Sequence, residues 1–390
     1  MKSGWPKKTL GEICGFVRGP FGGSLKKSVF VADGFAVYEQ QHAIYDQFED
    51  IRYFIDDAKF KEMQRFELRP NDLIMSCSGT MGRVAIVPDN IRRGIINQAL
   101  LKLTPLKAVS SQFLKYWMDS SDFQDSLKEQ SGGAAIQNVA SVGILKEIQI
   151  TLPPLPEQQR IVGLLDEAFE GIATAKANAE KNLQNARALF ESHHNSIFTK
   201  RREGWGEKPL GEVCKYVNGK AHEQCIDKDG RFIVINSKFI STEGEILKRS
   251  NDALLLLKPG DIAMVLSDVP NGKALAKCFL VEEANTYTLN QRICLLRSTK
   301  FHTKFLFYQI NRNRHFLSFD NGENQTNLRL NQVLSCPLFL PPLAEQETIA
   351  DNLDALSEET QRLAHRYERK LAALEALKKS LLHQAFTGDL

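Results

Sequence analysis

The chain has 390 residues, 43% of them hydrophobic and 25% charged, which is enough for two globular domains with proper cores and too apolar for a disordered protein. A formal net charge of +3 falls short of the cationic excess of a dedicated nucleic-acid binder, so any DNA affinity must come from local clusters or partner subunits. No apolar run reaches the ~18 residues of a membrane span, "MKSGWPKKTLGEIC" lacks a signal-peptide core, and seven scattered cysteines form no C-x-x-C pair, so a cytoplasmic chain with reduced thiols, no metal site and no membrane contact is expected.

Residues 5–14 read "WPKKTLGEIC", and this start returns as "WGEKPLGEVC" at 205–214. Next comes "RGPFGGSLKKS" (18–28), where Arg18, Phe21, Gly22, Ser24, Lys26 and Lys27 combine backbone N–H groups and cations suited to phosphate. "QQH" follows a short strand, and Gln40, Gln41 and His42 are candidate base readers because amides suit adenine. The carboxylates of "FEDIRYFIDDAKF" (48–60) read as a solvated acidic segment rather than metal ligands. "LRPNDLIMS" (68–76) is of strand length, and "SCSGTMGR" (76–83) then clusters Ser76, Ser78, Thr80 and Arg83, hydroxyls and an arginine suited to base edges or phosphate. In "SSQFLKYWMDSSDFQDSLKEQ" the spacing of Phe113, Leu114, Trp117 and Phe123 predicts a helix capped by Ser110 or Ser111. "GGAAIQN" (132–138) adds Gln137 and Asn138 as contacts.

At 152–161 the chain reads "LPPLPEQQRI". The two prolines end the domain, and the following glutamate places negative charge at a helix start. Ile161, Leu165, Ala168, Ile172, Ala175, Ala179, Leu183, Ala186, Phe190, His193 and Ile197 then recur at steps of three or four. Such a stripe over about 40 residues, roughly 60 Å of helix, demands a partner helix. "HHN" (193–195) lies on it and reads as seam rather than as a metal or nuclease site.

From 205 the first copy's landmarks repeat in order: "LKPGDIAMV" (257–265) for "LRPNDLIMS", "NQRICLL" (290–296) for "NQALLKL", and "FLFYQI" (305–310) for "FLKYWM". The matching polar segments supply Lys220 and His222 after "VN", Asn236 and Lys238 in "NSK", Ser267, Asn271 and Lys273 in "SDVPNGK", and Asn324, Gln325, Asn327 and Arg329 in "NGENQTNLR". The "NQ" present in both copies (97–98 and 290–291) points to scaffold hydrogen bonding rather than to discrimination between targets. "LPPLAEQETI" (340–349) then opens a second stripe, from Ile349 and Leu353 to Leu381 and Ala385, at a constant offset of 188 from the first. From Thr199 to Trp205 inclusive the chain has about seven residues, an extended reach of roughly 25 Å. That forbids the return path of a parallel pair, so the expected architecture is α+β: two similar domains joined by two long antiparallel helices in a pseudo-twofold coiled coil. The expected boundaries are residues 1–152, 153–199, 200–340 and 341–390.

The duplicated "PPLxEQ" segments around two variable domains, with a last helix ending "LLHQAFTGDL", resemble the DNA-specificity subunit of type I restriction-modification systems over essentially the whole chain. The resemblance implies that each domain reads one half of a split double-stranded target while the helices set the gap and dock partner subunits. Those partners are modification subunits, two of them, that methylate adenine with S-adenosylmethionine, and restriction subunits that cleave with ATP and Mg. This chain itself has no amino-methylation motif, no G-x-x-x-x-G-K-[ST] loop and no G-x-G-x-x-G, so no catalytic residue and no bound cofactor are expected. The alternative is a coiled-coil adaptor that binds proteins and reads no DNA.

Overall fold

The computed structural model describes residues 4–21, 23–130, 141–199 and 202–390; the candidates Gly22, Gln137 and Asn138 lie outside them. The chain divides into two units, Met1–Lys181 with Glu368–Leu390, and Asn182–Tyr367.

In the first unit the strands are β1 (Lys7–Thr9), β2 (Cys14–Arg18), β3 (Phe35–Tyr38), β4 (Tyr53–Ile55), β5 (Leu73–Ser76), β6 (Val84–Ile86), β7 (Gly94–Ile96), β8 (Leu100–Pro105) and β9 (Gln149–Thr151). They form an antiparallel sheet β2-β8-β5-β6, a sheet β4-β3-β7 in which β3 and β7 are parallel, and a closing pair β1-β9. The short run "LIMS" is apolar throughout because β5 is covered on both faces. Leu73 and Met75 enter a core with the helix Ser111–Asp119, while Ile74 enters a second core with Tyr38 and Ile96.

The second unit repeats this plan. Its strands are β10 (Gly206–Pro209), β11 (Lys215–Asn218), β12 (Phe232–Ile235), β13 (Arg249–Ser250), β14 (Ile262–Val265), β15 (Ser267–Asp268), β16 (Cys278–Leu280), β17 (Tyr287–Leu289), β18 (Ile293–Arg297), β19 (Thr326–Asn327) and β20 (Pro337–Leu340). The sheet β11-β18-β14-β16 answers the first four-stranded sheet, β13-β12-β17 answers the three-stranded one with β12 and β17 again parallel, and β10 pairs with β20. On β14, Ile262 and Met264 face one core and Ala263 and Val265 the other, the same division as on β5. A short ribbon, β15-β19, is added.

The duplicated decapeptides start two long helices, Leu155–Phe198 and Leu343–Thr387. The glutamine of each "PPLxEQ" fixes its helix to the domain. Gln158 is fully buried; its Oε1 accepts from Ser110 N at 2.9 Å and its Nε2 donates to Pro153 O at 2.8 Å and Ala108 O at 3.0 Å. Gln346 repeats the lock, accepting from His302 N at 2.8 Å and donating to Pro341 O at 2.8 Å. A second duplicated tie joins the domain helix to the long helix: Tyr116 donates its hydroxyl to Asp166, and Tyr308 donates to Asp354 at 2.6 Å.

Within the first unit the helical segments run antiparallel, since Arg160 Nη2 donates to the carbonyl of Leu390 at 2.9 Å while Lys176 pairs with Glu375 at 2.7 Å. Within the second, Ile197 joins Ile349, Ala350 and Leu353 in one core. The stripe residues are buried or half-buried with two exceptions, His193 and Lys378. His194, not His193, holds the inward position, its Nε2 2.6 Å from Tyr308 O. Near the helix end steps of three and four both fit the spacing, and the packing against Tyr308 selects four. Thr360, a buried hydroxyl in the apolar seam, is satisfied by Leu356 O at 2.8 Å.

No described helix is long and apolar enough to cross a membrane. The seven cysteines are unpaired; burial pushes the thiols of Cys14, Cys214 and Cys336 up to about 12, so they are inert packing groups. Among the described residues no three His, Cys, Asp or Glu side chains gather in a way that would hold a metal.

Candidate nucleic-acid interface

Each unit gathers its variable loops around one turn, and that turn is the repeated Asn-Gln. In the first unit Asn97 N donates to Tyr38 O, Gly19 N to Leu100 O and Cys77 N to Ala99 O, each at 2.9 Å. In the second unit Asn290 N donates to Ile235 O at 3.0 Å, Gly219 N to Ile293 O at 2.9 Å and Leu266 N to Arg292 O at 2.9 Å. Three main-chain bonds thus bring together the loop after β2 or β11, the segment after β3 or β12, and the segment after β5 or β14. The approach is close. A Cβ on Gly19 would stand 1.8 Å from Asn97 O, and one on Gly219 1.8 Å from Asn290 O, so glycine is required at both places.

Around the first hub, Phe21 is 93% exposed, Lys26 and Lys27 are exposed, and Ser24 is half-buried, its N–H donating to Phe21 O at 2.9 Å. Half-buried Arg18 reaches across to Cys77; burial raises that thiol to about 11, against the opposing pull of the guanidinium. Thr80 and Arg83 are exposed and Ser78 is half-buried. Gln40 places its amide nitrogen 4.0 Å from where a Cβ on Gly79 would stand, joining the second loop to the third. Gln41 is half-buried, with its amide donating to Asp50 O at 3.3 Å.

Two candidates here are corrected. Ser76 is fully buried, its hydroxyl donating to Thr80 O at 2.6 Å and accepting from Arg83 N at 3.0 Å, so it ties the hairpin and presents nothing to a ligand. His42 is fully buried, with Nδ1 3.0 Å from Glu39 O and Nε2 3.1 Å from Asp50 O, so both ring nitrogens are committed to backbone.

Around the second hub, Lys220 is exposed, but His222 is a third correction. It is fully buried, with Nδ1 2.7 Å from Lys220 O and Nε2 2.9 Å from Thr288 Oγ1. Asn236 spends its carbonyl oxygen as the cap of the helix Ser237–Ser241, accepting from Phe239 N at 2.9 Å, and leaves exposed Lys238 as the contact on that segment.

The ribbon brings the remaining candidates together. Ser267 is mostly buried and accepts from Gln325 Nε2 at 2.8 Å, so the amide, not the hydroxyl, faces outward. Asn271, in the left-handed region at φ 54°, donates to Gly322 O at 3.2 Å. Lys273, Asn324, Gln325, Asn327 and Arg329 are exposed. Two residues outside the sequence candidates organise the loop. Asp268 accepts from Val269, Ala274 and Leu275 N at 2.9, 2.6 and 3.0 Å, and Arg312 Nη1 donates to Lys273 O at 2.6 Å. The only sequence sign of Asp268 is its place two residues before Pro270 in a turn; Arg312 carried none.

Exposed amides, hydroxyls, lysines and arginines on loops rooted by main-chain bonds are the chemistry of base edges and phosphates. The sequence profile of the type I restriction modification DNA specificity domain matches residues 2–184 and again 202–372, and the chain belongs to that family. The StySPI type I restriction enzyme specificity subunit of Salmonella potsdam is 24% identical across 86% of this chain and 78% of its own length. The MjaVIII specificity subunit of Methanocaldococcus jannaschii is 24% identical across 85% and 83%. Among solved structures, a chain of a type I R-M system superposes with a TM-score of 0.80 at 18% identity, covering 100% of this chain and 99% of that one. The HsdS subunit from Thermoanaerobacter tengcongensis gives 0.65 at 18% identity, covering 100% and 98%.

Proposed function

We propose that the chain is the recognition component of a type I restriction-modification assembly, each domain reading one half of a split, asymmetric double-stranded DNA target. The observation that carries this reading is the pair of hubs: identical main-chain bonds present different side chains in the two copies. Arginines and hydroxyls around the first hub suit guanine and phosphate, whereas the amide-rich ribbon of the second suits adenine. Lys26, Lys27, Lys220, Lys238 and Lys273 supply phosphate contacts. Modification subunits, two per chain, bring S-adenosylmethionine and methylate adenine, and restriction subunits bring ATP and Mg; this chain binds none of these small molecules and catalyses nothing alone.

The test is retention of duplex DNA from a genomic library by the chain in complex with its modification subunits. Retention is expected to depend on sequence and to weaken steeply with salt. No retention of any sequence would leave the protein-binding adaptor as the better account. Native mass spectrometry checks the two modification subunits, and methyl transfer by the purified chain alone would overturn the assignment of chemistry to partners.

A further inference from the structure

Phe21 is 93% exposed, more than any other large apolar side chain among the described residues, the next being Tyr45 at 72% and Val269 at 63%. Scattered exposed apolar residues are ordinary. What sets Phe21 apart is how it is held. The preceding Gly19 is bonded to Leu100 O and wedged against Asn97 O, Pro20 is buried with its φ fixed by the ring, and the Phe21 carbonyl accepts from Ser24 N at 2.9 Å. The aromatic ring therefore projects from an anchored root. Its sequence neighbours are cationic: Arg18 ends β2, Lys26 and Lys27 follow five and six residues after Phe21, and no carboxylate occurs from residue 18 through residue 32.

A projecting ring among cations matches an aromatic that leaves water by stacking on a base while its neighbours hold the backbone. The corresponding loop of the second domain, "VNGKAHEQ", has no Phe, Tyr or Trp, and its one ring, His222, is fully buried. Resting on the DNA-recognition reading above, we propose that Phe21 inserts against the bases of the half-site read by the first domain, unstacking a base step there, and that the second half-site is bound without such a wedge.

The chain in complex with its modification subunits provides the test, with its selected target duplex as probe. Phe21→Ala is expected to weaken target binding about tenfold to a hundredfold, the range seen when one base-stacking aromatic is removed. The slope of affinity against salt stays unchanged, because the substitution removes no charge. Phe21→Trp is expected to retain affinity, and the added indole emission to be quenched by the target and not by unrelated duplex. Binding by Phe21→Ala within twofold of the parent, or an unquenched indole in a complex that binds, overturns the wedge and leaves DNA recognition standing. Failure of Phe21→Ala to recruit modification subunits, with DNA affinity otherwise intact, overturns it in favour of protein docking. Failure of the parent complex to bind any duplex removes both readings together.

Discussion

Removing the glutamine of either "PPLxEQ" segment tests whether the duplicated lock holds each domain on its helix. In Gln158→Ala the groups left without a partner are Ser110 N, on a half-buried residue, and Pro153 O, on a buried one, while Ala108 is exposed and water can reach its carbonyl. In Gln346→Ala they are His302 N and Pro341 O. At about 1–3 kcal/mol for each orphaned group, each substitution costs about 2–6 kcal/mol, against the ~5–15 kcal/mol that a domain holds in total. Because each site leaves one N–H and one proline carbonyl unpaired, the two costs should agree within about 1 kcal/mol, and because they share no partner they should add in the double variant. Glutamate at either position should be worse than alanine at neutral pH, since it keeps the acceptor but turns a carboxylate toward a proline carbonyl in a buried site. Urea denaturation gives the totals, and hydrogen exchange at residues 155–160 and 343–348 shows whether the loss starts at the helix start. A cost below about 1 kcal/mol at either site, or glutamate tolerated as well as alanine, would refute the lock.

Burial holds His194 below its ordinary range of 6.5. A depressed folded-state value gives stability that is present above pH 6.5 and lost as pH falls through the folded value, so acidification from neutrality should lower the urea midpoint of the second unit, and His194→Gln should flatten that dependence. Alanine at both Lys26 and Lys27 should reduce the slope of log affinity against log salt by up to about 2, roughly 0.9 for each phosphate that a lysine neutralises, and an unchanged slope in a filter-binding titration would remove those lysines from the phosphate-binding set. Gly19→Ala and Gly219→Ala each drive a Cβ to within 1.8 Å of a carbonyl. Each should abolish discrimination at one half-site in a selection experiment; wild-type preferences in both variants would show that the hubs do not shape the reading loops.

The long helices were legible because their signals are local and doubled: two prolines, a glutamate, then a stripe at steps of three and four, written twice at one offset. The strands "LIMS" and "IAMV" were legible as strands, but their burial on both faces depends on what covers them. Polar candidates fared unevenly for a physical reason. Ser76, His42 and His222 belong to loop-flanking segments as Thr80, Gln40 and Lys220 do, and sequence does not distinguish a group that bonds distant backbone from one that faces solvent. His222 is satisfied by Thr288, 66 residues away, and His42 by Asp50. Asp268 and Arg312 stand out only in three dimensions, because their roles are carried by bonds to main-chain atoms that any sequence would supply.

That dependence on main chain bears on how one scaffold presents different targets. The three bonds of each hub run from N–H to carbonyl, so the loops can exchange nearly every side chain without losing the geometry that roots them. The requirements that fall on side chains are few. They are a glycine that permits close approach, an asparagine that closes the turn, as where Asn97 Oδ1 accepts from Ala99 N at 3.0 Å, and buried histidine or serine locks beside the loops. These are the positions that repeat between copies or that burial removes from solvent, while the exposed positions differ: Phe21 and Arg83 in the first domain, Asn324, Gln325 and Asn327 in the second. Stability and recognition therefore rest on separate atoms of the same loops. Swapping exposed residues between the copies should alter which sequence is bound while leaving the unfolding midpoint within the small range of surface substitutions, about 0.5 kcal/mol each. Replacing the hub glycines, which are the same in both copies, should instead lower the unfolding midpoint together with discrimination at the half-site concerned.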